Sequence, residues 1–131
     1  MYRKIYTEPK TLVKYDDSHY LVYLNEEVVD DYVPDTSMGE PAQPVTGYAY
    51  TGTQPDGGTL IVSADASRDN LVNGIIRSRY SQTEEDAIKT HQIELLKAGS
   101  HAKSESYNAE WETFNTFRAS AIATVDRWLT A

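Results

Sequence analysis

The sequence predicts an α+β fold: a small antiparallel β-sheet in residues 1–64, then a three-helix C-terminal half, residues 65–131, that contains a helical hairpin. Three observations carry this. Short stretches of the first half alternate or are rich in valine, leucine and tyrosine, as half-buried strands are. From residue 67 onward the apolar residues recur at helical spacing. Serine and acidic residues stand where helices begin, at Ser67 with Asp69 and at Ser81 with Glu84. A chain of 131 residues has the usual length of one domain, so a single domain of two halves is expected.

In chain order, residues 2–6 alternate and read as a short strand. Residues 20–24, Tyr-Leu-Val-Tyr-Leu, read as an apolar strand, and residues 26–29 extend it or answer it across a turn at Asn25. Residues 30–44 hold three prolines, one glycine and no apolar period, which marks a loop long enough to be functional or mobile. Residues 45–51 alternate again. Pro55-Asp56-Gly57-Gly58 is a strong turn signal, because proline presets φ and glycine accepts positive φ, and residues 59–62 then read as the return strand of a hairpin. The Gly-Gly pair beside an aspartate lacks the following lysine of a phosphate-binding loop.

In the second half, Leu71, Val72, Ile75, Ile76 and Tyr80 form one helical face, interrupted by Gly74, which costs the helix up to about 1 kcal/mol relative to alanine. Ser81-Gln-Thr-Glu84 matches a capping box, and Glu84, Glu85 and Asp86 sit in the first turn, where acids meet the positive end of the helix dipole. Ala87, Ile88, His91 and Leu95 form the stripe of this second helix, which runs to about Lys97 with Gly99 as its stop. Arg77 and Arg79 are two positions apart and cannot share a helical side as an anion clamp. The stretch reads instead as a helix–helix corner, with Arg77 or Arg79 pairing to Glu84 or Glu85 and Tyr80 wedged in the angle. The last helix runs from near Ser106 to Leu129. Its Tyr107, Trp111, Phe114, Arg118, Ala121, Val125 and Trp128 keep heptad spacing, breached at Arg118. Phe117, Ile122 and Leu129 widen the stripe, which favours packing within the chain over a partner helix while leaving both readings open.

The net charge of −8 is uneven: residues 1–66 carry four Lys and Arg against eleven Asp and Glu, residues 67–131 eight against nine. An acidic surface repels phosphate backbones, so no nucleic-acid partner is expected. No apolar run reaches the roughly 20 residues of a membrane span, and the N-terminus lacks a signal-peptide core. A soluble protein made in the cytoplasm is expected. The chain has no cysteine, which excludes disulfides, thiolate metal sites and a cysteine nucleophile. The ten tyrosines concentrate in the first half and suit cross-strand packing or a protein interface.

Little in the chain reads as chemistry. His19, His91 and His101 have no zinc-site spacing. No serine stands in a nucleophile-elbow motif. The acidic pairs Asp16/Asp17, Glu26/Glu27 and Asp30/Asp31, with Asp35, lack a calcium-loop spacing and read as solvated groups. No catalytic residue, metal or cofactor is expected, and the protein is not read as an enzyme.

The run GYAYTGT, DGGTLIVSAD, LVNGIIRSRYSQTEEDAI and AEWETFNTFRASAIATVDRWL resembles a group of small proteins encoded in the structural-gene region of bacteriophages and prophages of gut Bacteroidales, including crAss-like phages. The residues that carry the resemblance are Ile76-Arg77, Tyr80-Ser81, Glu85-Asp86-Ala87-Ile88, and Glu110-Trp111 through Phe114-Asn115 to Phe117. Where related proteins often have a Cys-Lys pair, this chain has Ala119-Ser120. The resemblance covers roughly residues 46–129 and implies a virion component of tail, neck or fibre. Such a protein is an adaptor present in several copies in a symmetric assembly, contacting other phage structural proteins, with a non-virion tail or fibre assembly chaperone as the alternative. The expected partner-facing residues are Tyr107, Trp111, Phe114, Phe117 and Trp128 of the last helix, and Tyr20, Tyr23, Tyr48 and Tyr50 of the strands. Neither a membrane nor a nucleic acid is an expected partner.

Overall fold

The computed structural model describes residues 1–34, 43–98 and 103–130. Among the described residues, six strands precede three helices: β1 (Tyr2–Tyr6), β2 (Leu12–Asp16), β3 (His19–Val22), β4 (Glu27–Tyr32), β5 (Val45–Gly52), β6 (Thr59–Val62), α1 (Arg68–Arg79), α2 (Gln82–Ala98) and α3 (Ser104–Thr130). The class is α+β, as expected. The chain divides into two compact units, Met1–Ile61 and Val62–Ala131.

The strands of the first unit form two three-stranded sheets, in the orders β1-β5-β4 and β2-β3-β6. β5 is the centre of the first. It pairs antiparallel with β1 (Tyr6 opposite Tyr48) and with β4 (Val28 opposite Tyr48). β2 and β3 form a bulged hairpin whose turn is held by Asp16, its carboxylate accepting from the Ser18 amide at 2.9 Å.

Two expected hairpins do not form. The chain leaves β3 through Asn25, at φ 58°, and switches sheets, so β4 joins β5 rather than answering β3. The Thr51 amide donates to the Leu24 carbonyl at 3.3 Å, which holds that switch against β5. Likewise β6 does not return along β5. The turn at residues 54–58 closes on itself, with the Gln54 amide donating to the Gly58 carbonyl at 2.8 Å, and the chain then enters the other sheet beside β3. Gly52 is required there, because a Cβ would lie 2.3 Å from the Gly58 carbonyl oxygen. Gly57 adopts φ 83°, a conformation glycine takes at no steric cost. The strand β2 was not anticipated. The expected loop, residues 30–44, is strand up to Tyr32, with residues 35–42 outside the described residues.

The core of this unit is tyrosine built. Tyr6, Tyr23 and Tyr50 form a triangle with ring centroids 5.6 to 6.2 Å apart, in tilted or edge-to-face geometry. Each hydroxyl is satisfied: Tyr6 donates to the Asp56 carbonyl at 2.6 Å, Tyr23 to the Asp56 carboxylate at 2.9 Å and Tyr50 to Glu26 at 2.6 Å. Val22, Ala49 and Ile61 are the other buried apolar residues of the unit.

In the second unit, α1 and α2 follow one another along α3, both antiparallel to it. Arg68 at the start of α1 binds Asp126 near the end of α3 at 2.7 Å. Tyr80, between the helices, meets Phe114 at mid-length, and His91 of α2 stacks on Tyr107 near the start of α3. At 1.5 Å per residue, the 27 residues of α3 span about 40 Å, matched by the 12 and 17 residues of α1 and α2 in series. The helical half is therefore a hairpin with one broken arm. Leu71, Ile75 and Ile76 of α1, Ile88 of α2, and Phe114, Ala121, Val125 and Trp128 of α3 are its buried apolar residues. Ser67 is the N-cap of α1, but its side chain makes no capping bond. Asp65 holds that end instead, accepting from the Ser67 amide and from Asn70, both at 2.9 Å. Gly99, the expected stop of α2, and His101 lie outside the described residues.

Phe114 is fully enclosed, so Phe114→Ala should cost about 3–5 kcal/mol. Trp111→Ala, at a half-exposed site, should cost clearly less. Urea unfolding followed by helical circular dichroism checks both, and equal losses would contradict the burial pattern.

Candidate functional site

The joint between α1 and α2 is built from adjoining residues with separate tasks. Tyr80 caps α1 in an extended conformation, and its amide still donates to the Ile76 carbonyl at 2.8 Å. Ser81 and Glu84 form the expected reciprocal box: the Glu84 amide donates to the Ser81 hydroxyl at 3.0 Å, and the Ser81 amide to the Glu84 carboxylate at 3.1 Å. Only Tyr80 and Ser81 separate the helices. Tyr80 does wedge into the break, its ring 5.1 Å from Phe114 and 5.8 Å from Phe117, with the Arg79 guanidinium over the Tyr80 and Phe117 rings.

Glu85 is the residue on which the joint closes. It is 7% exposed, and burial alone pushes its pKa up. Lys89 one turn later, at 2.5 Å, and Arg77 across the break, at 2.6 Å, outweigh that, and the carboxyl lies below its ordinary value. Arg77 also donates to the Tyr80 carbonyl at 3.2 Å, so one guanidinium ties the end of α1, the break and α2 together. Of the pairings expected across this corner, Arg77 with Glu85 is the one formed. Within the joint, Glu85 is paired twice, with Arg77 and with Lys89.

The expected partner-facing residues divide by burial. Tyr23, Tyr50, Phe114 and Trp128 are buried in their own units, so they serve the interior rather than a surface. Tyr20, Tyr48, Tyr107, Trp111 and Phe117 are half-buried and present an edge outward. Tyr107 is engaged within the chain, since His91 stacks on its ring at 4.0 Å and Gln92 donates to its carbonyl at 3.1 Å. His91 also hydrogen-bonds Glu110, which fastens α2 to α3. The heptad stripe of α3 faces its own chain. Arg118, its breach, is exposed.

No family model, curated protein or solved structure matches the chain.

Apolar surface also faces outward on the helices. On α2, Ile93 and Leu96 are 54% and 84% exposed, one turn apart and outside the stripe of Ala87, Ile88, His91 and Leu95. Leu129 on α3 is also exposed. Between α2 and α3 runs a groove of about 480 Å³ lined by Tyr80, Ala87, Ile88, Ala109 and Thr113, with Glu84 and Glu110 on it. Among the described residues, no three His, Cys, Asp or Glu side chains gather as metal ligands. Of the acidic residues read as solvated groups, Asp16 holds Ser18 and His19, and Glu26 accepts from Tyr50. Among the described residues, no helix is long and apolar enough to cross a membrane.

The pKa of Glu85 gives a pH dependence with a fixed sign. Its folded value lies below the unfolded one, so its ion pairs stabilise the helical unit above the unfolded value, about 4.3, and are lost as pH falls through the folded value. Glu85→Gln should destabilise the protein at pH 7 and flatten its acid unfolding curve. Denaturant midpoints measured from pH 7 to pH 3 check this, and parallel curves for the two proteins would contradict it.

Proposed function

We propose that this chain is an accessory structural component of a bacteriophage virion, an adaptor of the tail, neck or fibre region that acts through protein–protein contacts. The observation that carries the reading is where the phage-like residues fall. Arg77, Tyr80, Ser81, Glu85, Phe114 and Phe117, which carry the resemblance, are the residues that close the joint and seat it on α3. The resemblance therefore rests on one connected piece of architecture, and its use is to fix a hairpin of set length. A rigid hairpin with Ile93 and Leu96 displayed on its outer side suits a subunit repeated in a symmetric assembly, where aliphatic surface is covered by neighbours. The partners are other phage structural proteins, and the location is the virion, after synthesis in the host cytoplasm.

Mass spectrometry of gradient-purified virions tests this. The expected result is the chain at a fixed copy number that is a multiple of five, six or twelve. Its absence from mature particles overturns the reading. Absence combined with recovery on unassembled fibre protein would mark it as an assembly chaperone. Ile93→Asp with Leu96→Asp should leave the monomer folded and lower incorporation into particles by at least tenfold.

A further inference from the structure

The turn at residues 54–58 leaves a carboxylate in an unusual state. Asp56 is half-buried, and its two oxygens accept from neutral donors, the Tyr23 hydroxyl at 2.9 Å and the Gly58 amide at 3.0 Å. Among the described residues, no lysine, arginine or histidine forms an ion pair with it. The lysines of the tyrosine cluster sit over rings: Lys10 over Tyr6 and Tyr23, at 4.8 and 5.4 Å from their centroids, and Lys4 over Tyr6 at 5.3 Å. A carboxylate has about four acceptor positions, so one remains on each Asp56 oxygen.

That carboxylate lines a groove of about 310 Å³ with Tyr15, Leu21, Gln54, Pro55 and Leu60. The groove lies on the outward face of the β2-β3-β6 sheet, where Val13 stands opposite Leu21 in register and is itself exposed. Tyr15 is 63% exposed, with a ring free to cover whatever enters. The unit around it holds four Lys and Arg against ten Asp and Glu in residues 1–61, a balance of −6.

We propose that this groove is a docking pocket for an arginine side chain presented by a partner protein. The chemistry is specific. A guanidinium forms two parallel hydrogen bonds to a carboxylate, which fits one open position on each Asp56 oxygen. Its plane stacks on an aromatic ring, the part Tyr15 plays, and its methylene stem packs on aliphatic surface, supplied by Leu21 and Leu60. Tyr23 and Gly58 hold the carboxylate in place before binding, so its orientation is fixed in advance. The acidic field of the unit favours approach of a basic segment. A second copy of the chain is a poorer occupant, since two units of the same sign repel. This inference goes beyond the virion reading and does not depend on it.

The test uses the full chain with isotope-labelled leucine methyls and three blocked tripeptides, with arginine, lysine or neutral citrulline between glycines. The arginine peptide should shift the Leu21 and Leu60 methyls saturably. The lysine peptide should bind several-fold more weakly and the citrulline peptide at least tenfold more weakly. Asp56→Asn should lose the response, and Tyr15→Ala, a change at an exposed site, should weaken it at least threefold. Equal binding of the citrulline peptide, no shift at either leucine, or shifts that survive Tyr15→Ala unchanged would overturn the proposal. If Asp56→Asn loses its dispersed amide spectrum, the citrulline and Tyr15→Ala arms decide. A wild-type dimer in sedimentation that Asp56→Asn dissociates would assign the pocket to a second copy and overturn the foreign partner.

Discussion

Each unit of this protein is arranged around one carboxylate that the fold holds in place. In the helical unit it is Glu85. Without Arg77 and Lys89 its burial would favour the neutral form, and with them it stays charged. Because Arg77 reaches it from α1 and Lys89 from within α2, the pairing is possible only when the helices are separated by the short break at Tyr80 and Ser81. The break places the aromatic ring of Tyr80 against Phe114 and Phe117. From there α1 follows one half of α3 and α2 the other. The direction of both arms thus follows from a local electrostatic requirement, and the apolar stripe supplies the driving force once they are aligned.

In the sheet unit the carboxylate is Asp56, and it is held in another way. Its partners are a phenol and an amide, which carry no charge. Burial, reinforced by the hydrogen bond to Asp56, pushes the Tyr23 phenol well above its ordinary range, so it remains a donor at any physiological pH. Burial and then the Asp56 charge raise the Tyr6 phenol in the same way. The aspartate therefore anchors the turn to the tyrosine triangle through hydrogen bonds. This difference separates a closed site from an open one. Glu85 has its charge answered inside the chain, whereas Asp56 has its geometry fixed and its charge unanswered.

The sequence made the local features legible and the non-local ones not. The capping box at Ser81 and Glu84, the place of Tyr80 and the inward stripe of α3 all depend on residues within a few positions of each other, and each is where periodicity and capping rules put it. Strand partners depend on residues far apart. Nothing near Asn25 reveals that β4 will cross to β5, and nothing in the Pro-Asp-Gly-Gly turn reveals that it closes on Gln54 and sends β6 to β3. β2 escaped notice because its alternation is short and ends in a turn made by the Asp16 side chain, a device that looks like solvated acid in the sequence. Composition leaves the tyrosines open to packing or to an interface; burial decides which of them face inward, and Tyr6, outside the expected partner-facing set, is a corner of the core triangle.

The same division explains why the surface says more about function than the motifs do. A wide apolar stripe on α3 offers two uses, and the long antiparallel contact with α1 and α2 uses up its centre. Phe114, Ala121, Val125 and Trp128 are thereby removed from any interface. On the helical unit, aliphatic residues such as Ile93 and Leu96 stay in water at a cost that burial against another chain would relieve. The sheet unit shows the electrostatic counterpart, a positioned carboxylate beside aliphatic and aromatic walls. Both features concern surfaces that are incomplete in the isolated chain, one lacking apolar cover and the other lacking a cation. An adaptor reading accounts for both at once, because contacts with other chains can supply the missing half of each.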